Sequence, residues 1–245
     1  MSCKKTALVT GGAKGIGEAI CVQLAKDGYN IAINYNTSEK EALALKERLS
    51  GVTCVEVFKA DVSDSTQVNV MLETVEKVFG GVDVLINNAG IAQQVLFTDI
   101  TDEMWQKMIG VNLTSAFNCC RRVLPYMINQ KYGTIINIAS MWGEVGASME
   151  VHYSAAKAGL IGLTKALAKE VGPSGITVNA VSPGVVLTDM MSQFSDEDKK
   201  ALADETPLCT LGNAEDIAST VSFLASEKAR FITGQVVSVN GGFVI

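Results

Sequence analysis

The stretch "TALVTGGAKGIGEAICVQLAKDG" (residues 6–28) joins a short β-branched run, a glycine-rich loop and a helical segment in direct succession. Glycines at the start of a helix permit a tight turn, and they let a diphosphate approach backbone N–H groups at the positive end of the helix dipole. Glycine also serves ordinary turns, but a strand before the loop and a helix after it favour a dinucleotide site. We therefore assign to cofactor binding Gly11, Lys14, Gly15, Ile16 and Gly17.

Further strand-like runs follow at residues 30–35, 52–58, 82–87, 134–139, 176–181 and 235–239, with helical patterns between them. This alternation is typical of βαβ units, which form a parallel sheet covered on both faces. The sequence therefore predicts an α/β fold, with a Rossmann-type, doubly wound, seven-stranded parallel sheet and helices on both faces. Right-handed crossovers place the ligand crevice of such a sheet beyond the carboxyl ends of its strands.

Composition argues against several classes of function. The chain carries a net charge of −6 at pH 7, with 48% apolar and 19% charged residues, and its Lys and Arg residues are not clustered. We therefore expect a globular protein that does not bind nucleic acid. No apolar run reaches the length of a membrane span and no signal-peptide pattern opens the sequence, so we expect a cytoplasmic location and no membrane contact. One histidine and six cysteines without CxxC spacing predict no metal site and reduced thiols.

The second predicted strand ends in "NYNTS", without an acidic residue at the position where an NAD site usually holds the ribose hydroxyls. Glu39 lies at a suitable distance, but an acid in the first turn of a helix is also expected for the helix dipole. Because Lys14 attracts a 2′-phosphate, the sequence favours NADP(H) over NAD(H). We predict that this phosphate has as its neighbours Asn34, Tyr35 and Asn36.

Two further strand ends provide candidates for the rest of the cofactor. Asp61 is suited to accept a hydrogen bond from an adenine amino group, with Val62 packed beside the ring, whereas Asp64 fits a helix N-cap better. The fourth strand ends in small residues that let a cofactor lie close to the backbone, which are Asn88, Ala89 and Gly90.

Tyr153 and Lys157 lie four residues apart in a helical stretch, so their side chains share one face. A nearby ammonium group stabilises phenolate and lowers the pKa of a tyrosine, which makes it usable in general acid–base chemistry. A surface tyrosine beside a solvated lysine has the same spacing, so the pair alone does not decide. Ser140, at the end of the fifth strand, is placed to polarise a carbonyl, and Asn112, inside a predicted long helix, to hold a water. Both also fit simple polar caps.

These motifs resemble those of the short-chain dehydrogenase/reductase family across essentially the whole chain. The family pattern TGxxxGxG begins at Thr10, NNAG occupies residues 87–90, and PGxxxT corresponds to Pro183, Gly184 and Thr188. The resemblance implies hydride transfer between a nicotinamide and a carbonyl carbon. It implies a catalytic tetrad of Asn112, Ser140, Tyr153 and Lys157.

Each member of the tetrad has a role implied by the resemblance. Tyr153 donates the proton, Ser140 holds the substrate oxygen, Asn112 supports a proton-relay water, and Lys157 holds the nicotinamide ribose and tunes Tyr153. Residues near the carboxamide are implied to be Val186 and Thr188.

The resemblance also implies how the chain is organised. We expect a single domain at residues 1–245, with a cofactor half at residues 1–90 and a catalytic half at residues 91–245. The charged insertion at about residues 188–207 predicts a mobile lid.

Within the family, the sequence looks most like bacterial 3-oxoacyl-acyl-carrier-protein reductases, which are NADPH-dependent homotetramers. Acyl carrier protein is then a possible partner, although Ser174 stands where those reductases often have a basic residue, and Lys131 is the remaining basic candidate. The substrate is a small-molecule or carrier-bound ketone.

The loop "SMWGEVGASMEVHYS" (residues 140–154) favours an alternative, because it resembles reductases that act on a 5-aminopentanone group attached to elongation factor P. In that interpretation Glu144 or Glu150 suits a substrate amine, while Trp142 either lines the pocket or packs at a subunit contact. Hydroxysteroid dehydrogenases share this scaffold, and a non-catalytic NADP(H) sensor is a further alternative of a different class. We expect His152 at the surface, off the face that carries Tyr153.

Overall fold

The computed structural model describes residues 4–188 and 195–245. Its centre is a seven-stranded parallel sheet in the order β3-β2-β1-β4-β5-β6-β7. The strands are β1 (Thr6–Val9), β2 (Asn30–Tyr35), β3 (Val55–Lys59), β4 (Val84–Asn87), β5 (Gly133–Ile138), β6 (Ile176–Pro183) and β7 (Val236–Val239). The predicted fold class is confirmed.

Helices cover both faces of this sheet. They are α1 (Gly15–Lys26), α2 (Glu39–Leu49), α3 (Ser65–Phe79), α4 (Asp102–Ile109), α5 (Ser115–Gln130), α6 (Trp142–Val145), α7 (Val151–Val171), α8 (Asp196–Glu205) and α9 (Ala214–Ala225). Apolar side chains of α1, α2 and α9 form the core on one face of the sheet. Those of α3, α5 and α7 form the core on the other face. None of the helices in the described ranges is long and apolar enough to cross a membrane.

Most predicted strands lie within a residue or two of the observed ones, but β3 begins three residues later than the predicted strand. The reason is a turn after α2, in which the N–H groups of Val52 and Thr53 donate to the carbonyl oxygen of Leu49, at 2.8 and 3.2 Å. That turn uses backbone groups that a longer strand would need for its ladder.

The predicted long helix around Asn112 is interrupted. A π-helical turn, Gly110–Thr114, separates α4 from α5 and contains Asn112. Such turns insert one extra residue into the helix and often mark functional positions. The interruption brings the Asn112 amide to the end of β4, where Ile91 follows the strand.

The predicted lid lies only partly within the described residues. Residues 189–194 lie outside the described residues, so a mobile lid in that part of the segment stays a prediction. The rest contains α8, whose N-terminus is closed by a capping box between Ser195 and Asp198, with the Asp198 N–H donating to Ser195 Oγ at 3.1 Å.

Candidate active site

A cleft of about 870 Å³ opens at the carboxyl ends of the central strands. This is where the strand order reverses between β1 and β4, the place at which doubly wound sheets bind ligands. The cleft runs from the glycine turn to the start of α7. Predicted site residues that line it are Gly11, Lys14, Gly15, Ile16, Gly17, Asn88, Ala89, Gly90, Asn112, Ser140, Tyr153, Lys157, Pro183, Gly184, Val186 and Thr188.

The glycine turn at the start of α1 has no room for side chains at its critical positions. Gly11 and Gly15 have φ angles of 59° and 53°, in the left-handed region that favours glycine. A Cβ at Gly17 would collide with the carbonyl oxygen of Gly11 and come within 2.6 Å of Asn88 Nδ2. These glycines make the turn compact, and Gly11, Gly15 and Gly17 line the cleft, so a group in the cleft meets the backbone of the turn directly.

Thr10 and Asn88 tie the glycine turn to the end of β4. Thr10 Oγ1 accepts hydrogen bonds from the N–H groups of Asn88 and Ala89, each at 3.0 Å. In return, Asn88 Nδ2 donates to the carbonyl oxygens of Thr10 and Gly11, at 3.0 and 3.1 Å. The family motif residues thus hold each other in place, and the Asn88 side chain braces the turn.

Lys14 is the basic residue at the mouth of the glycine turn. Its Nζ lies 3.0 Å from Glu41 Oε1, and both side chains are nearly half exposed. The hydrogen bond from Lys14 lowers the pKa of the Glu41 carboxyl. The ammonium therefore has a partner that is itself exposed to solvent, and such a surface pair is weak.

The residues predicted beside a 2′-phosphate are mostly engaged elsewhere. Asn34 is buried, its Oδ1 accepts from the N–H of Gly11 at 3.2 Å, and its Nδ2 donates to the carbonyl oxygen of Ala60 at 3.1 Å. Tyr35 is also buried, and its hydroxyl donates to Glu39 Oε1 at 3.2 Å. Asn36 is exposed. The Asn34 amide therefore supports the glycine turn from below, and contacts of these three residues with a phosphate stay a prediction.

The residues that follow β3 make hydrogen bonds among themselves. Asp61 Oδ1 accepts from the N–H and the hydroxyl of Ser63, at 2.9 and 2.6 Å. Val62 is buried in the core under α3, outside the lining of the cleft. Asp64 is the N-cap of α3 and accepts from the N–H of Thr66 at 2.8 Å, so the preference for Asp64 as the cap is confirmed. Contacts of Asp61 and Val62 with adenine stay a prediction.

Tyr153 and Lys157 face the cleft together from α7. Lys157 Nζ lies 5.6 Å from the centroid of the Tyr153 ring and donates to the carbonyl oxygen of Ile138 at 2.8 Å. Burial lowers the pKa of the Lys157 ammonium to about 8. Burial raises the pKa of Tyr153 to about 12, and a hydrogen bond with Ser140 opposes that rise.

The predicted depression of the Tyr153 pKa by Lys157 is therefore wrong for the protein alone. Burial disfavours the charged form of either group, so it pushes the two pKa values in opposite directions. In the protein alone, Lys157 is neutral at the pH near which Tyr153 titrates, and its charge is present only at lower pH, where the phenol keeps its proton. Glu150 adds a negative charge nearby and raises the tyrosine pKa further.

Ser140 lies just beyond β5, at the wall of the cleft opposite the glycine turn. The N–H of Trp142, at the start of α6, donates to Ser140 Oγ at 3.2 Å. Since that bond occupies an acceptor position, the serine hydroxyl keeps its proton for a group in the cleft or for Tyr153.

Asn112 is buried beneath the cleft and is bound on both sides of its amide. Its Oδ1 accepts from the N–H of Ile91 at 3.2 Å, and its Nδ2 donates to the carbonyl oxygens of Ile91 and Met108, at 3.0 and 3.1 Å. A Cβ on Gly90 would come within 2.8 Å of Asn112 Oδ1, so the end of β4 is fitted to this amide. The water predicted at Asn112 stays a prediction.

Among the described residues, Glu150 is the acidic side chain that lines the cleft. It lies at the far end, half buried, with Gln94 Nε2 at 3.4 Å from its Oε1. Burial raises the pKa of the Glu150 carboxyl, and the Gln94 contact opposes that rise. Trp142 lines the same end and packs edge-to-face on Phe243, with ring centroids 5.8 Å apart. Glu144 turns away from the cleft, toward serines of β6 and β7.

The expectation that His152 lies at the surface is wrong. Its side chain is completely buried, and neither ring nitrogen has a hydrogen-bond partner within residues 4–188 and 195–245. The reason is that α7 packs against α4, α6 and the π-helical turn as well as against the sheet. The face of α7 that carries His152 is therefore also covered, although it is not the face that carries Tyr153.

One structural contributor to the site, Gly143, was missed from the sequence. A Cβ on Gly143 would come within 2.8 Å of the backbone and Cβ of Lys157, so this glycine lets α6 lie directly on α7. Gly184, which was predicted as a cofactor-binding residue, is also closely packed, since an added Cβ would lie 2.7 Å from the Cα of Asn240. The sequence shows Gly143 close to Ser140, but its role depends on a packing partner that the sequence does not reveal.

Comparisons with known proteins agree with this arrangement. A model of the short-chain dehydrogenase group, described as Enoyl-(Acyl carrier protein) reductase, matches residues 11–244. The chain is 45% identical over 244 residues to the 3-oxoacyl-[acyl-carrier-protein] reductase FabG of Staphylococcus aureus strain Mu50, with 99% of each chain covered. It is 42% identical to the uncharacterized oxidoreductase YmfI of Bacillus subtilis, with 98% of each chain covered. It is 43% identical to an acetoacetyl-CoA reductase of Rhizobium meliloti, with 97% of this chain and 98% of that one covered.

Proposed function

Because this chain belongs to the short-chain dehydrogenase/reductase family, we propose that it is an NADPH-dependent reductase of 3-oxoacyl groups carried by acyl carrier protein. The observation that carries the proposal is the meeting of Ser140, Tyr153 and Lys157 in one cleft with the open glycine turn. The name of the S. aureus relative supports the substrate. That of the R. meliloti relative, an acetoacetyl-CoA reductase, supports the same ketone chemistry on a different carrier.

The residues present fit a dinucleotide. Gly11, Gly15 and Gly17 line the cleft, so a diphosphate there can approach the backbone of the turn. The positive φ angles of Gly11 and Gly15 and the close packing at Gly17 explain why this turn requires glycine. Within the described part of the chain, Lys14 pairs with Glu41, and both side chains are nearly half exposed, so the ammonium is available for a 2′-phosphate, which favours NADP(H). When bound, the reduced dinucleotide supplies a hydride. Contacts along its remaining length are proposed for Ile16, Asn88, Ala89, Gly90, Lys157, Pro183, Gly184, Val186 and Thr188.

Tyr153 is proposed as the proton donor. With a pKa of about 12 the phenol is protonated at neutral pH, which is the state that a general acid for ketone reduction requires. Lys157, with a pKa of about 8, is still mostly protonated at pH 7 and faces the ring. Its charge therefore stabilises the phenolate that forms when Tyr153 gives up its proton. Ser140 donates its hydroxyl hydrogen to the substrate oxygen and orients it.

The assembly and the partner are also part of the proposal. We propose that the chain is one domain, that the protein is cytoplasmic and that it forms a homotetramer. The tetramer is supported by large apolar side chains, which are exposed on the outer faces of α4 and α5 and near the carboxyl terminus. Examples are Trp105, Phe117, Ile128 and Phe231. Lys131, which ends α5 in the left-handed conformation, is the basic residue offered to an acidic carrier protein. The expected mass in light scattering is four times that of the 26.0 kDa chain.

Replacing the phenol tests the function. We expect Tyr153→Phe to lower kcat with NADPH and an acetoacetyl thioester by a factor of about 10² to 10⁴, because the substitution removes the general acid. NADPH absorbance gives the rate, and cofactor fluorescence gives the binding, which should be unchanged. Tyr132→Phe, which alters a tyrosine that stacks on Lys5 away from the cleft, is the matched control. Equal rates for Tyr153→Phe and the wild type would end the assignment of Tyr153 as the general acid, and the absence of turnover by both proteins would favour a non-catalytic NADP(H) sensor.

One observation favours a second candidate function. Glu150 is half buried in the substrate end of the cleft, where its carboxylate suits a ketone that carries an amine, such as the 5-aminopentanone group on elongation factor P. A panel of an acetoacetyl thioester, an aminoketone-modified protein and a ketosteroid separates the candidates. If the second function is correct, Glu150→Gln should selectively reduce turnover of the aminoketone. If the first function is correct, Glu150→Gln should leave turnover of the thioester unchanged.

A further inference from the structure

The short helix α6 forms part of the cleft wall, yet four residues are too few to be stable as an isolated helix. Its position must therefore come from contacts with other elements. On one side Gly143 lies against α7 at Lys157. On the other side, Trp142 packs on Phe243 and Glu144 reaches the last two strands of the sheet.

The Glu144 carboxylate binds two serines at once. Its Oε1 accepts from Ser182 Oγ at 2.5 Å and from Ser238 Oγ at 3.2 Å. Ser182 on β6 and Ser238 on β7 are register partners in neighbouring parallel strands, so one oxygen bridges both. Ser182 is completely buried, which fixes its hydroxyl in place. Hydrogen bonds from hydroxyls to a carboxylate are short and about twice as strong as neutral ones.

The same helix determines how Ser140 presents its hydroxyl. Trp142 is the first residue of α6, and its N–H donates to Ser140 Oγ at 3.2 Å. A shift of α6 moves that N–H and with it the acceptor that orients Ser140. Glu144 lies two residues after Trp142 in α6. If the Glu144 carboxylate loses its position, we therefore expect the Trp142 N–H, and with it the orientation of Ser140, to change.

We propose that Glu144 is a positioning residue, which holds α6 on Ser182 and Ser238 so that the Trp142 N–H orients the Ser140 hydroxyl for the substrate oxygen. The inference rests on the proposed function, since it assigns Ser140 to a substrate carbonyl. It gives a reason for an acid on a solvent-exposed turn, where the carboxylate otherwise has no task.

Substitutions at Glu144 provide the test. A displacement of about 1 Å in a catalytic group costs up to 10²-fold in rate, so we expect Glu144→Ala to lower kcat about tenfold with the KM for NADPH unchanged. Glu144→Gln, whose amide oxygen still accepts from both serines, should keep kcat within about twofold of the wild type. Ser182→Ala should lower kcat in the wild type but not further in Glu144→Ala, because the two residues act as one unit. Glu47→Ala, an exposed acid on α2, is the control.

A second measurement separates this proposal from the proposed function. In a Trp105→Phe background, Trp142 is the remaining tryptophan, and Glu144→Ala should change its emission and increase its quenching by acrylamide. If the wild type reduces no ketone, the proposed function fails, while the fluorescence still reports whether Glu144 holds α6. The positioning role is overturned if Glu144→Ala keeps full kcat, if Trp142 fluorescence is unchanged, or if Glu144→Gln loses as much activity as Glu144→Ala.

Discussion

Lys157 is a charged side chain in a buried position, and burial disfavours its charge. Its ammonium is buried, keeps one hydrogen bond, to the Ile138 carbonyl, and has a pKa lowered to about 8 by burial. A lysine in this state is charged at neutral pH and loses its charge within the range in which enzymes are usually assayed. The reaction should therefore depend on pH through this residue rather than through Tyr153.

We expect kcat/KM for NADPH to fall as pH rises through about 8, because this parameter reports ionisation in the free enzyme and deprotonation removes the charge beside Tyr153. Tyr153 stays protonated until about pH 12 and does not contribute to the decline. A pH–rate profile from 6 to 10 measures the effect. In Lys157→Arg, whose guanidinium keeps its proton, the residual activity should not fall over this range. A wild-type profile that is level to pH 10 would contradict the role of Lys157.

At this scale the sequence predicted which side chains meet, but not what burial does to them. The tetrad residues and the glycines reach one cleft as the family motifs imply. The direction of the Tyr153 pKa could not be predicted, because the spacing of a tyrosine and a lysine says nothing about the solvent that both lose. The burial of His152 was missed for the same reason, since it depends on four neighbours of α7 rather than on its own helix.

Among the elements, α6 is fitted to α7 by a close contact at Gly143. An added methyl group on Gly143 would lie 2.8 Å from the backbone carbonyl carbon and the Cβ of Lys157, and backbone atoms cannot yield cheaply. The helix would have to move outward, away from α7 and away from the position that serves Ser140.

We expect Gly143→Ala to lower the free energy of unfolding by about 1–3 kcal/mol through overpacking, and to lower kcat at the same time. Gly162→Ala is the matched control on α7, where, apart from the adjoining backbone of α7 itself, no atom of residues 4–188 and 195–245 lies within 4 Å of the added carbon. That substitution should leave kcat unchanged and stabilise the protein by about 0.5–1 kcal/mol, because alanine is the better helix residue. Urea unfolding and steady-state rates measure both. Similar effects of the two substitutions would show that α6 is not tightly fitted to α7.

Helix caps and stops were predictable because they depend on neighbours in sequence. Asp64 begins α3, and α3 ends at Gly80, which has a φ angle of 86°. The π-helical turn at Asn112 was not predictable, because its extra residue is stabilised by hydrogen bonds to Ile91, from a different part of the chain. An asparagine within a helical pattern signals that something interrupts the helix, without saying what.

For the molecule as a whole, the central sheet is continuous between residues 1–90 and residues 91–245, the stretches that the sequence predicts as the cofactor half and the catalytic half. Strands β4 and β5 pair across the division at four positions, from Val84 with Thr134 to Asn87 with Asn137. The core on one face likewise mixes residues of both halves, such as Leu8, Val68, Val123 and Val178. The doubly wound parallel sheet and the edge that carries the ligand crevice were predicted from the crossover rule, whereas the packing of Phe243 on Trp142 had no counterpart in any local pattern.

We therefore expect the halves to unfold together. Far-UV circular dichroism reports helices of the whole chain, while tryptophan fluorescence reports Trp105 and Trp142, both in the catalytic half. The two urea transitions should coincide, as required for a single cooperative unit. A saturating concentration of NADPH at about 100 times its Kd should stabilise the protein by about 2.7 kcal/mol and shift both transitions equally. Separate midpoints would show that residues 1–90 and 91–245 are independent domains.

The bond between Thr10 and the carbonyl oxygen of Ile86 spans 76 positions of the chain. During synthesis at about 5–20 residues per second, β1 therefore waits about 4 to 15 s after leaving the ribosome before its second neighbour exists. Through that interval one edge of β1, a strand whose four residues are all buried in the folded protein, has no strand to pair with. A nascent chain of this protein is thus most exposed to chaperone capture, or to sticking to another copy, before β4 has emerged.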